Sequence, residues 1–179
     1  MTLIFKKSNK YTLKSVISEK LTKKEIREIC LLKDKQWKFG IKSQLIWFKS
    51  NVKNYDIHNM FYIKSKLVGY TLLRKRTCEN KKLNKKAKYL LFDTLVIDKK
   101  YRGMKLSNLL MSFNNIIIKQ SGFFSFLICD NKLVHFYEQY NWKKIDKKFF
   151  KIIDYPFKFN GMIFNKLNFY KNYVINLNK

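Results

Sequence analysis

Four cations fall within seven residues at Lys99-Lys100-Tyr101-Arg102-Gly103-Met104-Lys105. They follow an apolar run, Tyr89 to Ile97, and precede an amphipathic one that begins at Ser107. A strand that turns into a helix N-terminus can hold an anion. The first helical N–H groups have no intrahelical partner, and the helix dipole adds partial positive charge. With the basic turn as counter-charge, the stretch reads as a phosphate or pyrophosphate site; an ordinary connection with solvated lysines is the plain alternative. Within the apolar run stands one carboxylate, Asp93, among Leu90, Leu91, Phe92, Leu95 and Val96. A carboxylate in such surroundings is costly unless it is paired or used. Desolvation favours the protonated form of a carboxyl group and so suits it to accept a proton. A structural hydrogen bond to a neighbouring loop is the other reading.

The turn resembles the acetyl-CoA-binding signature of the GNAT superfamily of N-acetyltransferases, Arg/Gln-x-x-Gly-x-Gly/Ala after a strand. Here it stands as Arg102-Gly103-Met104-Lys105-Leu106-Ser107. A second block, Asp130 to Ile145 with Asn131, Phe136, Tyr137, Glu138, Asn141 and Trp142, is similar to the family's Asn…Phe-Tyr-Glu-Lys-x-Gly-Phe segment. Lys105, Ser107 and Asn141 depart from the family's small residues. Asn tolerates a left-handed backbone, and Lys105 can still offer its N–H where the backbone is helical.

The resemblance implies an α/β acyl-CoA N-acyltransferase fold over residues 1–179: one domain, a mixed, mostly antiparallel and curved sheet, and helices on both faces. It implies acetyl-CoA as cofactor. The pyrophosphate would lie on Arg102, Gly103, Met104, Lys105, Ser107 and Asn108, and the pantetheine arm along the main chain of Leu95, Val96 and Ile97, with Asn131 in contact. Asp93 would be the general base and Tyr137 the acid for the departing thiolate, as a phenol can be; plain packing is the other reading of Tyr137. The link between the first two helices would border the acceptor, making Asp34, Trp37 and Phe39 substrate candidates, with Asp56 and His58 as further polar ones. The implied reaction is direct acetyl transfer to a primary amine of a small molecule, such as an amino sugar. A protein N-terminus or lysine is the second acceptor class. A non-catalytic module of the same fold, or a lysine-rich nucleic-acid-associated protein, is the rival.

The formal charge of +27 raises that rival directly, because such charge attracts polyanions. Yet only Arg27, Arg74, Arg76 and Arg102 are arginine, the residue that reads phosphate and base edges by its bidentate fork. The lysine, Asn and Ile excess is the pattern of an AT-rich genome, and nucleic acid is not the expected partner. Cys30, Cys78 and Cys129 fit no metal pattern and read as reduced thiols in the cytoplasm. No run approaches the roughly 20 apolar residues of a spanning helix. A monomer or homodimer is expected.

The elements that must position these residues follow from patterning. Tyr11 to Ile17 reads as the first strand. Thr22 and Glu25 form a capping box before a helix with Ile26, Ile29, Cys30 and Leu32 inward, fading from Lys33. Ser43 caps a second helix with Leu45, Ile46, Phe48 and Val52 inward. Asn59 to Lys64 and Leu67 to Arg74 make a hairpin, and Lys75 to Lys88 an exposed basic loop. Tyr89 to Ile97 is the central strand, and the resemblance implies that it runs parallel to Phe123 to Cys129. Between them a helix from Ser107 to Lys119 buries Leu106, Leu109, Leu110, Phe113, Ile116 and Ile117, leaves Asn114 and Asn115 outside, and ends at Gly122. A helix capped by Asp130 or Asn131 turns Leu133, Val134 and Phe136 inward. Trp142 to Ile153 and Met162 to Tyr170, joined through Asp154-Tyr155-Pro156 and Asn160-Gly161, form the last pair. The tail from Lys171 is frayed or a short extra element.

Overall fold

Thr22 starts the first helix as the sequence predicts. Its hydroxyl accepts the Glu25 N–H at 3.1 Å, and the Glu25 carboxylate accepts the Thr22 N–H at 3.0 Å, which closes the capping box. This helix, α1 (Lys23–Trp37), continues a full turn beyond the point where its apolar pattern fades. It stops at Lys38, whose left-handed φ of 53° lets its N–H bond the Asp34 carbonyl. The second helix, α2 (Ile41–Asn51), begins after Gly40, so Ser43 lies inside it and caps nothing. Its buried residues are Gln44 and Phe48, while Leu45 and Ile46 face outward. That correction matters for the site below.

The computed structural model describes residues 2–6, 10–80, 84–152, 159–165 and 173–175. Two compact units divide the chain, Met1–Arg74 with Asp93–Asn114, and Lys75–Phe92 with Asn115–Lys179. In the first, strands run in the order β1 (Thr2–Lys6), β2 (Tyr11–Ile17), β3 (Ile57–Ile63), the start of β4 (Lys66–Asn80) and the end of β5 (Lys85–Ile97), with β1 to β4 antiparallel. Strand β1 precedes the expected first strand; its exposed Ile4 and Phe5 gave no alternation to read. Ile29, Cys30, Leu32 and Phe48 of the helices pack with Met60, Tyr70, Leu72 and Val96. A second cluster joins Phe61, Ile63 and Val68 to Leu106 and Leu110 of α3 (Leu106–Ser121). Gly69 permits this packing, because a Cβ there would lie 2.8 Å from Ile97 Cδ1 and 3.2 Å from Leu110 Cδ2. Asn114 does not sit outside as expected. It is fully buried, accepting from Asn59 Nδ2 at 2.9 Å and from Thr71 Oγ1 at 2.9 Å.

In the second unit, the expected loop at Lys75 to Lys88 is instead strand: β4 runs on to Asn80 and β5 begins at Lys85. Arg76, Cys78 and Asn80 point inward and Thr77 and Glu79 outward, an alternation that the polar residue types disguise. Strand β5 pairs parallel with β6 (Ser125–Cys129) through Leu90–Ser125 and Leu91–Phe126, as expected of the central pair. α4 (Val134–Glu138) is short and follows a 3-10 turn, Asn131–Leu133; Leu133 is exposed, and Asp130 makes no side-chain cap. The run from Trp142 splits into β7 (Lys143–Ile145) and β8 (Phe150–Ile152) around a 3-10 turn that Asp146 caps. Strand β9 (Asn160–Phe164) lies antiparallel to both β6 and β7, and β10 (Tyr173–Ile175) joins β8 to the end of β4. The expected connection through Asp154-Tyr155-Pro156, the end of the Met162 to Tyr170 run and most of the tail lie outside the described residues. Among the described residues, no helix is long and apolar enough to cross a membrane.

Candidate active site

The end of β5 leads through a 3-10 turn, Lys99–Tyr101, into the exposed residues Arg102, Gly103, Met104 and Lys105, and then into α3. Asp98 sets this turn. One carboxylate oxygen accepts the Lys100 N–H at 3.1 Å and the other accepts Lys35 Nζ at 2.8 Å. Gly103 is left-handed at φ 83°, with open space where a Cβ would be. Lys105 is left-handed too, at φ 54°, so it keeps the conformation natural to glycine and is not right-handed helical as the sequence allowed. For a lysine this costs roughly 1–2 kcal/mol. The first bonded N–H after the turn is that of Asn108, to the Lys105 carbonyl at 3.1 Å, which leaves the N–H groups of Leu106 and Ser107 ahead of it available to an anion. Arg102 has a further task. Its Nε donates to the Ile97 carbonyl at 3.2 Å and its guanidinium reaches Gln36 of α1. The Ile97 carbonyl, expected to be open, is therefore engaged. Val96 is buried, and Leu95 and Ile97 are half-buried.

Upstream on the same strand, Asp93 and Thr94 line a cavity of about 310 Å³. Trp37 and Phe39 from the end of α1 and its link form part of the wall, and Lys33, Ser43, Gln44 and Trp47 complete it. Asp93 is not the isolated carboxylate that the sequence suggested. Arg74 Nη1 donates to its Oδ2 at 2.6 Å, and the Thr94 hydroxyl lies 3.3 Å from its Oδ1. The Asp93 side chain keeps 19% of its surface exposed, while that of Arg74 keeps 6%. Lys33 is buried, with Nζ 3.6 Å from the centroid of the Trp47 ring. Burial is the main cause that lowers its pKa, against the opposing pull of Asp93.

The second unit holds the other two sequence candidates. Tyr137 on α4 is 8% exposed, packed edge-on to Phe92 at 6.1 Å and beside Phe136 and Trp142. Burial raises the pKa of its phenol, with a smaller push from Cys129, so the group stays protonated and able to donate. Asn131 is exposed in the 3-10 turn ahead of α4. Asn141 is left-handed at φ 63°, the conformation that asparagine tolerates.

Three expected substrate contacts are corrected. Asp56 and His58 are both 0% exposed and cannot reach a ligand from those positions. Asp56 Oδ2 accepts the Lys53 N–H at 2.9 Å. His58 bonds the Ser18 hydroxyl at 2.7 Å through Nε2 and the Tyr70 hydroxyl at 2.8 Å through Nδ1. Its pKa is lowered to about 3, first by burial and then by the charge of Lys33. Asp34 turns away from the cavity, and its Oδ1 accepts the Gly40 N–H at 2.6 Å. Lys33, Gln44, Trp47, Arg74 and Thr94 were missed. Lys33 stands where the helical pattern fades, and Gln44 is a polar residue beside the expected apolar face of the next helix.

No protein-family model and no curated protein matches this sequence. Strands that pair antiparallel apart from β5–β6 and β8–β10, the four α-helices among the described residues and the strand-turn-helix at Arg102 match the acyl-CoA N-acyltransferase fold. Among solved structures, an acyl-CoA N-acyltransferase from Pseudomonas aeruginosa aligns with a TM-score of 0.62 at 15% identity, over 86% of this chain and 98% of that one. ElaA of Escherichia coli aligns at 0.59 and 13% identity, over 90% and 99%. An aminoglycoside 6'-N-acetyltransferase complexed with coenzyme A aligns at 0.60 and 11% identity, over 83% and 93%.

Proposed function

We propose that this protein is an acetyl-CoA-dependent N-acyltransferase that acetylates a primary amine of a small molecule by direct transfer. The observation that carries this reading is that one strand serves both ends of the reaction. Asp93 and Thr94 of β5 line the cavity, and the same strand ends at the left-handed, exposed turn before α3. Ile97 lies four positions after Asp93, about 13 Å along an extended chain. Several features of the turn fit a pyrophosphate: open space at Gly103, left-handed Gly103 and Lys105, and the helix N–H groups of Leu106 and Ser107. Arg102 has two donors engaged of the five a guanidinium offers, leaving others for phosphate. Met104, Ser107 and Asn108 would complete this cradle, and the main chain of Leu95 and Val96, with Asn131 of the second unit, would be the candidates to hold the arm. When bound, acetyl-CoA supplies an acyl group activated as a thioester.

The chain's own residues do the rest. The Asp93 carboxylate, steadied by Arg74, takes a proton from the acceptor ammonium directly or through a water. Tyr137 gives its phenolic proton to the departing sulfur. The aromatic walls at Trp37, Phe39 and Trp47 hold the acceptor and keep bulk water from it. The three cysteines, all buried thiols without a disulfide, support a cytoplasmic setting. The test is thiol release from acetyl-CoA in the presence of amines, with the acetylated product identified by mass. Tyr137→Phe is expected to lower kcat about tenfold to a hundredfold and to leave acetyl-CoA affinity unchanged. A full-rate Tyr137→Phe removes this residue from the mechanism, and the absence of any acetylated amine refutes the enzymatic reading.

A further inference from the structure

The cavity is rich in unmatched donors. Lys33 Nζ stands 3.6 Å from the Trp47 ring centroid and 6.0 Å from that of Trp37, and among the described residues no carboxylate lies within ion-pair distance of it. Gln44 is 4% exposed, and its Nε2 is buried with no hydrogen-bond partner. A buried donor left unsatisfied is unfavourable, and a charged one more so. Among the described residues, the one carboxylate that lines the cavity, Asp93, is already bonded to Arg74. Lys33 and Arg74 together outnumber it in charge, so a polycationic amine would meet net repulsion here. A ligand carboxylate would satisfy both unmatched donors at once, by charge-assisted bonds.

We propose that the acceptor is an amino-acid-like amine. Its carboxylate is bound by Lys33 Nζ and Gln44 Nε2, its amino group faces Asp93, and its apolar or aromatic body lies against Trp37 and Trp47. The acetylation step rests on the function proposed above; the binding preference does not. In that step the new N–C bond forms as the thioester C–S bond breaks. The ammonium gives one proton to Asp93 before attack, the second proton shed by the nitrogen goes to water, and the sulfur leaves as a thiol with a proton from Tyr137, whose phenolate is reprotonated from solvent.

The test pairs phenylalanine and leucine with the amines that lack the carboxylate, phenethylamine and isoamylamine, and adds an aminoglycoside. Binding is read from quenching of tryptophan fluorescence, with and without coenzyme A, and turnover from thiol release. Phenylalanine and leucine are expected to bind about tenfold or more tightly than their decarboxylated partners. Lys33→Met should erase that preference without weakening the binding of phenethylamine. Gln44→Leu should weaken phenylalanine alone and serves where Lys33→Met does not fold. Equal or tighter binding of phenethylamine or the aminoglycoside, a preference that survives both variants, or no binding by any of them overturns the proposal. A carboxylate preference in binding without thiol release upholds the pocket and refutes acetyl transfer. Turnover of amines without that preference does the reverse.

Discussion

Two of the polar clusters in the first unit, one around His58 and one around the cavity, differ in one respect. Around His58 every group is matched: Ser18, Tyr70 and the Lys53 N–H are all bonded, and His58 and Asp56 are sealed at 0% exposure. Around the cavity, Lys33 and Gln44 Nε2 have no polar partner, and Asp93 keeps part of its surface open. A satisfied, closed network fixes a fold. An unsatisfied one facing a cavity needs something from outside. This contrast, more than residue type, separates the enclosed histidine and aspartate from the lysine and aspartate proposed to meet a ligand.

Substitution on each side can break the contrast. Asp93→Asn should cut kcat/KM about a hundredfold or more if Asp93 takes the proton, with acetyl-CoA affinity preserved. Steady-state rates and cofactor titration read the two separately, and an unchanged pH–rate profile would move Asp93 to the structural side. The His58 cluster should answer in stability and not in turnover. Its neutral form is the folded one, with a pKa near 3 against an ordinary 6.5. Between those values the unfolded chain binds the extra proton. The contribution is therefore fully present above about pH 6.5 and is lost as pH falls toward 3, by up to about 1.4 kcal/mol per pH unit. Urea unfolding across that range should show the slope, and His58→Gln should flatten it. A slope that persists in the variant would assign it to other groups.

The same contrast explains what the sequence shows of the site. The turn at Arg102 is legible because its work is done by backbone in a short contiguous stretch, so residue types and spacing carry it. The capping box at Thr22 is legible for the same local reason, whereas the central parallel pair and the left-handed Asn141 follow from the family resemblance. The cavity is assembled from α1, its link, α2 and β5, and no contiguous pattern announces it. Asp56 and His58 drew attention as polar residues beside a strand, yet sequence cannot tell a matched polar group from an unmatched one. Gln44 escaped notice because α2 turns Leu45 and Ile46 outward, against the apolar stripe that patterning favours. The β4–β5 extension was hidden in a similar way, since Arg76 and Asn80 are buried where burial is unusual for their types.

The most direct measurement is thermal unfolding with and without acetyl-CoA, for the native chain and for Arg102→Ala. A ligand that binds only the folded state adds RT ln(1 + [L]/Kd), about 2.7 kcal/mol at a hundredfold excess over Kd. The account predicts a clear rise in Tm for the native chain and a much smaller one for Arg102→Ala. No rise at millimolar acetyl-CoA, in a protein that unfolds cooperatively, would contradict it.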